Sequence, residues 1–90
     1  MKHYTIRITG KVQGVFFRAH TKQKAEELGI KGFVQNEPDG SVYVEAESSI
    51  DKLDQFIIWC HKGPDRAIVN NVEVNEAPLK NFVKFEVRQS

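Results

Sequence analysis

The chain contains 90 residues, and 13 Lys and Arg residues nearly balance 12 Asp and Glu residues to give a net charge of +1. Hydrophobic residues make up 40% and charged residues 28%, a balance that excludes the disordered and collagen-like classes. The near-neutral charge also provides no long-range attraction to nucleic acid or to an anionic membrane. We therefore expect one globular domain spanning residues 1–90.

Hydrophobic periodicity predicts a strand and then a helix in the first third of the chain. Apolar and polar side chains alternate over residues 4–9, which is the period of a half-buried strand. A loop with two glycines follows, and apolar residues then recur at helical spacing from Phe17 to Leu28. Gly29 is suited to end this helix, because glycine readily adopts the left-handed conformation found there.

The middle of the chain has the pattern of a β-hairpin followed by a second helix. Residues 32–36 and 41–46 flank a Pro-Asp-Gly turn, and Val42, Val44 and Ala46 are expected to face the core. Ser48 or Ser49 is expected to cap the helix, which Gly63-Pro64 would end. The predicted apolar stripe of this helix comprises Ile50, Leu53, Phe56, Ile57 and Cys60.

The last third of the chain predicts two strands. Residues 67–74 alternate, but the alternation slips at Asn70-Asn71, which predicts a β-bulge. Residues 82–87 alternate again, and this pattern places Val83, Phe85 and Val87 on one face. The element order is therefore βαββαβ with a short extra C-terminal strand.

This order predicts an α+β fold, a ferredoxin-like sandwich with two helices on one face of a mostly antiparallel sheet. A right-handed crossover makes the second strand parallel to the first, and the third strand lies between them. The first two strands would then lie about 10 Å apart and end at the same edge of the sheet. The loop of residues 10–17 and Asn36 should therefore be neighbours at that edge.

The loop that leads into the first helix has the features of an anion site. A helix N-terminus presents unpaired N–H groups, and Gly14 allows the preceding backbone to curl so that its amides converge. Arg18 adds a guanidinium that can bind two phosphate oxygens at once. The loop is not a Walker A motif, because no Lys-Ser or Lys-Thr pair follows the second glycine. The pattern leaves open the alternative of an ordinary glycine-bearing loop with a solvated Arg18.

The other polar or reactive residues have ordinary structural explanations. Asn36 precedes a turn, where asparagine is common for its turn propensity, and Cys60 is interpreted as a buried thiol rather than a nucleophile. No His or Cys residues are paired at metal-ligand spacing, so no metal is expected. A single cysteine also excludes a disulfide scaffold, and no apolar run is long enough to span a membrane. We therefore expect a cytoplasmic protein.

Two motifs carry a resemblance to a known family. The signature loop of the acylphosphatases is similar to Gly10-Lys11-Val12-Gln13-Gly14-Val15-Phe16-Phe17-Arg18. The second signature of that family resembles Gly32-Phe33-Val34-Gln35-Asn36 followed by Asp39-Gly40-Ser41-Val42. The similarity extends over essentially the whole chain, with the elements in the expected order. The sequence therefore resembles a small stand-alone acylphosphatase.

The resemblance implies hydrolysis of the carboxyl–phosphate anhydride bond of acyl phosphates to a carboxylate and inorganic phosphate, without metal or cofactor. It implies that Arg18 holds the phosphoryl group and that Asn36 orients the attacking water. The main-chain amides that would share the phosphoryl group are those of Gln13, Gly14, Val15, Phe16 and Phe17. Lys11, Gln35 and Glu37 depart from the family pattern, and Glu37 would repel the substrate if it turned inward. Strand alternation predicts that Glu37 points to the face opposite Asn36.

Two other functions are compatible with the predicted fold. RNA-recognition domains share its element order, but the faint aromatic motif around Phe33 lies on the second strand instead of the third. The second alternative is a domain that binds phosphate without turnover. We predict a small-molecule acyl phosphate as the partner, with no nucleic acid and no membrane. A monomer is expected, because no large apolar stripe is left without an explanation.

Overall fold

Five strands form one sheet, and two helices pack on one of its faces. The computed structural model describes residues 1–89, with elements in this order: β1 (Lys2–Lys11), α1 (Phe17–Leu28), β2 (Lys31–Asn36), β3 (Val42–Ser48), α2 (Ile50–Lys62), β4 (Ile68–Ala77) and β5 (Phe85–Arg88). The strand order is β4-β1-β3-β2-β5. β2 and β5 pair in parallel, whereas the other neighbours are antiparallel. The predicted α+β ferredoxin-like sandwich is confirmed, including the position of β3 between β1 and β2.

The core lies between the helices and the sheet. Ile6, Val34 and Val44 face one another across β1, β2 and β3, and each is fully buried. Phe17 of α1 and Phe56 of α2 pack onto the same cluster. Burying a side chain of this size contributes about 1.5–3 kcal/mol, so the strand alternation determines which face of the sheet the helices cover.

Several local predictions are confirmed. Gly29 ends α1 with φ 72°, in the left-handed region, and Gly63 ends α2. The pairing of β1 with β4 shifts register between Thr9 and Gly10, where β4 carries Asn70 as an extra residue. The predicted bulge therefore forms. Gly10 is required at this point because a Cβ atom there would collide with the carbonyl of Ile68.

Three details of the predictions are wrong. Ser49 occupies the N-cap position of α2, but neither it nor Ser48 caps the helix through a side-chain hydrogen bond within residues 1–89. Ile50 is 49% exposed, because it begins α2 and lies beyond the end of the sheet-facing stripe. Val83 is 84% exposed and lies outside the last strand, which begins at Phe85.

The exposure of Val83 follows from the path of the chain between β4 and β5. These two strands form opposite edges of the sheet, so residues 78–84 must cross the intervening strands before pairing with β2 can begin. Phe82 anchors the crossing by stacking on His3 and by edge contact with Phe33. The main-chain N–H groups of Lys80 and Phe82 donate to the Glu47 carboxylate. The crossing segment therefore covers part of the sheet face opposite the helices.

Within residues 1–89, neither α1 nor α2 is long and apolar enough to cross a lipid bilayer.

Candidate active site

The loop between β1 and α1 curls through two residues with positive φ. Gly14 has φ 73°, and Phe16, which occupies the N-cap position of α1, has φ 60°. A left-handed conformation costs a residue other than glycine roughly 1–2 kcal/mol, so the surrounding structure must hold Phe16 in place. No side chain caps α1 in the part of the chain that the structure describes. The helix N-terminus is therefore left without a side-chain acceptor at the point where the loop curls.

A cavity of about 340 Å³ opens beside this curl. The residues that line it are Val12, Gly14, Phe16, Phe17, Arg18, Ala19, Asn36 and Val87. The structure therefore brings Arg18 and Asn36 to one cavity with the predicted loop residues Gly14, Phe16 and Phe17. Among residues 1–89, Gln13 and Val15 are outside this lining, and the side chain of Val15 is buried in the core cluster.

Arg18 is held at the cavity by the last strand. One nitrogen of its guanidinium, Nη1, donates to the main-chain carbonyl oxygen of Arg88 in β5 over 3.2 Å. A guanidinium carries five N–H donors in a planar fork, so this contact orients the group and leaves further donors for an anion. β5 also contributes Val87 to the cavity wall. The edge strand therefore takes part in building the site.

Asn36 reaches the cavity because of its position on β2. It is the last residue of the strand and pairs with Val42 of β3, so it shares the helix-facing side with Val34. The side chain is partly exposed. A carboxamide offers one acceptor oxygen and two N–H donors, which suits it to fix a small polar molecule such as water.

Gln13 has a role that the sequence analysis did not find. Its Nε2 donates to the main-chain carbonyl oxygens of Glu37 (2.9 Å) and Ser41 (2.8 Å), in the turn that follows β2. These bonds connect the curled loop to the hairpin that carries Asn36. A glutamine in a glycine-bearing loop gives no sequence signal of its partner, because both acceptors are main-chain groups 24 and 28 residues away.

Glu37 is directed away from the cavity, as predicted. Its carboxylate accepts a hydrogen bond from Nε2 of Gln35 over 3.2 Å and lies 4.0 Å from the guanidinium of Arg7. Arg7 also donates to the hydroxyl of Ser41 and lies 3.5 Å from the carboxylate of Asp39. The pKa of Asp39 is lowered, first by the hydrogen bond from the Ser41 side chain and further by the Ser41 main chain and the Arg7 charge. Both carboxylates near the turn are therefore paired outside the cavity.

The other candidates are separate from this cavity. Cys60 is fully buried in the core, and its burial raises the pKa of the thiol above the ordinary value, as predicted for an inert residue. Lys11 is exposed at the end of β1 and does not line the cavity within residues 1–89. The described part of the chain contains no cluster of three or more His, Cys, Asp or Glu side chains arranged to hold a metal ion.

Fold and cavity together define the class of this protein. It is a ferredoxin-like α+β sandwich whose first strand ends at a cavity suited to an anion, with a curled main chain, a guanidinium and a carboxamide around it.

Comparison with known proteins identifies the family. The acylphosphatase family model matches residues 4–87. An acylphosphatase of Archaeoglobus fulgidus is 48% identical over 82 residues, which cover 91% of this chain and 92% of that protein. The crystal structure of acylphosphatase from Bacillus subtilis aligns with a TM-score of 0.95 and 30% identity, covering 98% of this chain and 99% of that one. An acylphosphatase structure from Coxiella burnetii aligns with a TM-score of 0.94 and 37% identity, covering 97% and 92% of the two chains. The chain belongs to the acylphosphatase family.

Proposed function

We propose that this protein hydrolyses acyl phosphates in the cavity shared by Arg18 and Asn36, by direct attack of water on phosphorus. Arg18 and the main-chain amides of residues 13–17 hold the phosphoryl group, and the carboxamide of Asn36 orients the water. The observation that carries this proposal is that Arg18 and Asn36, from different elements, line one cavity beside a curled and uncapped helix N-terminus. N–H donors in such a place stabilise negative charge that spreads over the phosphoryl oxygens in the transition state.

The reaction needs no further catalytic group from the protein. The water oxygen bonds to phosphorus while the bond between phosphorus and the acyl oxygen breaks, and the electron pair leaves with the carboxylate. One proton of the water passes to the phosphate product or to solvent. A carboxylate whose acid has a pKa of about 4–5 leaves without protonation, so no general acid is needed. Substrates with poorer leaving groups should react slowly at this site.

The proposal also covers the domain organisation, oligomeric state, location and partners of the protein. We propose a single catalytic domain over residues 1–90 that acts as a cytoplasmic monomer on a small-molecule acyl phosphate, without nucleic acid, metal or cofactor. The near-neutral net charge of +1 supports a small-molecule partner over a nucleic acid.

The test compares three substrates. We expect phosphate release from acetyl phosphate and benzoyl phosphate, and turnover of p-nitrophenyl phosphate slower by about 10²-fold or more, because its leaving group benefits from protonation. Treatment with EDTA should leave the rates unchanged, and a strong loss would indicate a metal site. Equilibrium binding of inorganic phosphate without release from either acyl phosphate would identify a binding domain and contradict the proposed hydrolysis.

A further inference from the structure

A second cavity lies on the other side of Phe16. Its volume is about 400 Å³, and it shares Phe16 with the cavity that contains Arg18 and Asn36. The residues that line it are Val15, Phe16, His20, Trp59, Lys62, Gly63, Pro64, Asp65 and Arg66. The two cavities are therefore adjacent, and the exposed Phe16 contributes to both.

The second cavity lies where the leaving group of the proposed reaction should go. From Phe16 the first cavity extends to β2 and β5, against which α1 packs, whereas the second extends to α2 and the turn that follows it. Asn36 is on the side of β2, and Trp59 and Lys62 are on the side of α2. In phosphoryl transfer the attacking and leaving oxygens are roughly in line. A water held by Asn36 therefore directs the acyl group away from β2, toward the second cavity.

The walls of this cavity are fixed by packing. Trp59 makes an edge contact with the ring of Phe17, at 5.7 Å between centroids, and stacks on Phe56. Gly63 approaches Phe17 so closely that a Cβ atom there would lie 2.8 Å from the ring. His20 is oriented by a 2.9 Å hydrogen bond in which its Nδ1 donates to the Phe16 carbonyl. The turn after α2 is thereby held against the loop that would bind the phosphoryl group.

The chemistry of the lining is aromatic and cationic. Phe16 and Trp59 offer ring surfaces, and the exposed Lys62 and Arg66 add positive charge to the lining. Within residues 1–89, neither of these two cations makes an ion pair. Asp65 is the one carboxylate among the lining residues, so the formal charge of the lining is positive even with His20 neutral.

We propose that this second cavity binds the acyl group and favours aryl acyl phosphates that carry an additional negative charge. The inference rests on the proposed function, because it takes the phosphoryl group to be bound beside Arg18. Phe16 and Trp59 contact the aryl ring, and Lys62 and Arg66 attract the distal anion.

The experiment compares benzoyl phosphate with 4-carboxybenzoyl phosphate, which differs from it by one carboxylate. For each protein, the ratio of kcat/KM for the carboxylated substrate over the neutral one is measured, so that intrinsic reactivity cancels between variants. In the variant with both Lys62→Ala and Arg66→Ala, we expect this ratio to fall about fivefold, as is usual for two exposed charge contacts. Asp65→Asn should raise the ratio. Lys52→Ala is the matched control, because Lys52 is exposed on α2 about 15 Å from Lys62.

The outcomes separate this inference from the function on which it rests. A wild-type protein that hydrolyses neither substrate contradicts the proposed function. If wild type hydrolyses both substrates but the double variant and Lys52→Ala have the same ratio of kcat/KM, only the acyl-group site is contradicted. The acyl-group site is supported if the double variant has a lower ratio of kcat/KM than wild type and if high salt lowers the wild-type ratio in the same way. Salt should have this effect because it screens exposed charges.

Discussion

The side chain of Gln13 donates a hydrogen bond of 2.9 Å to the main-chain carbonyl of Glu37, the residue that follows Asn36. A second bond, to the carbonyl of Ser41, spans the same turn. These contacts connect the loop proposed to hold the phosphoryl group with the strand proposed to position the water. One carboxamide therefore connects the two halves of the proposed site directly, in addition to the pairing of β1 and β2 with β3.

The first prediction concerns this connection. Gln13→Ala should lower kcat about tenfold, because the attacking water and the phosphoryl group are no longer held at the correct distance and angle from each other. It should also lower the free energy of unfolding by about 1 kcal/mol, since the carbonyls of Glu37 and Ser41 each lose one of two donors and keep a main-chain N–H. Steady-state kinetics, phosphate inhibition and chemical denaturation measure these effects. A kcat equal to that of wild type would show that the loop keeps its position without Gln13.

The second prediction concerns Asn36. Asn36→Ala should reduce kcat by about 10²–10³-fold while the affinity for inorganic phosphate stays near the wild-type value, because the water is displaced and the anion contacts remain. Asn75→Ala, which removes an exposed asparagine on β4, is the matched control. Equal losses of turnover and phosphate affinity would make Asn36 a binding or folding residue instead.

A cluster of hydrogen-bonded polar side chains lies on the face of the sheet opposite the helices. The two ring nitrogens of His3 lie 2.7 Å from the Glu47 carboxylate and 2.8 Å from that of Glu45. Glu45 also accepts hydrogen bonds from Tyr43 and Lys80. Burial, followed by the contact with Glu45, raises the pKa of Tyr43 to about 12.

The third prediction is a loss of stability in acid. Burial raises the pKa of Glu45 and of Glu47, but their hydrogen bonds prevail and hold both pKa values below the ordinary 4.5. A carboxyl with a lowered folded-state pKa stabilises the fold above its unfolded pKa. That stability is lost as the pH falls below 4.5 through the folded values. The free energy of unfolding should therefore decline steeply in this window.

Denaturation across pH 2–7 checks this prediction. In Glu47→Gln, the free energy of unfolding should decline less steeply below pH 4.5, whatever its value at neutral pH. The reason is that glutamine cannot take up the proton that the Glu47 carboxyl binds on unfolding. Glu26→Gln, which alters an exposed residue of α1, is the control and should follow wild type. Identical slopes in Glu47→Gln and wild type would show that the acid lability has another origin.

The fold was predictable where the alternation of apolar and polar residues and the residue types of the turns indicated the same structure. The Pro-Asp-Gly turn predicted the hairpin of β2 and β3, and the alternation in β1 and β3 predicted which side of each strand faces the core, since burial of one face leaves no other register. The end of the chain was less predictable. The alternation at Val83 resembled a strand, but pairing with β2 begins at Phe85 only after the chain has crossed the sheet. A local pattern carries no information about such a long-range path.

The site was predictable to a similar extent. Strand order placed Asn36 beside the loop, because β1 and β2 end at the same edge, and the structure gives Asn36 and Arg18 a common cavity. The supporting contacts were not predictable. The bonds from Gln13 to the turn and from Arg18 to the Arg88 carbonyl end on main-chain atoms, which every residue type supplies alike. The roles assigned to Arg18, to Asn36 and to the amides of residues 13–17 stay predictions.

The fourth prediction tests the central proposal, that Arg18 binds the phosphoryl group. The most direct measurement is calorimetric titration of inorganic phosphate into wild type, Arg18→Ala and Asn36→Ala. We expect Arg18→Ala to lose phosphate binding and turnover together, because the guanidinium is the only side-chain cation that lines the cavity in residues 1–89. Asn36→Ala should bind phosphate as wild type does. Phosphate affinity in Arg18→Ala equal to that of wild type would contradict the account.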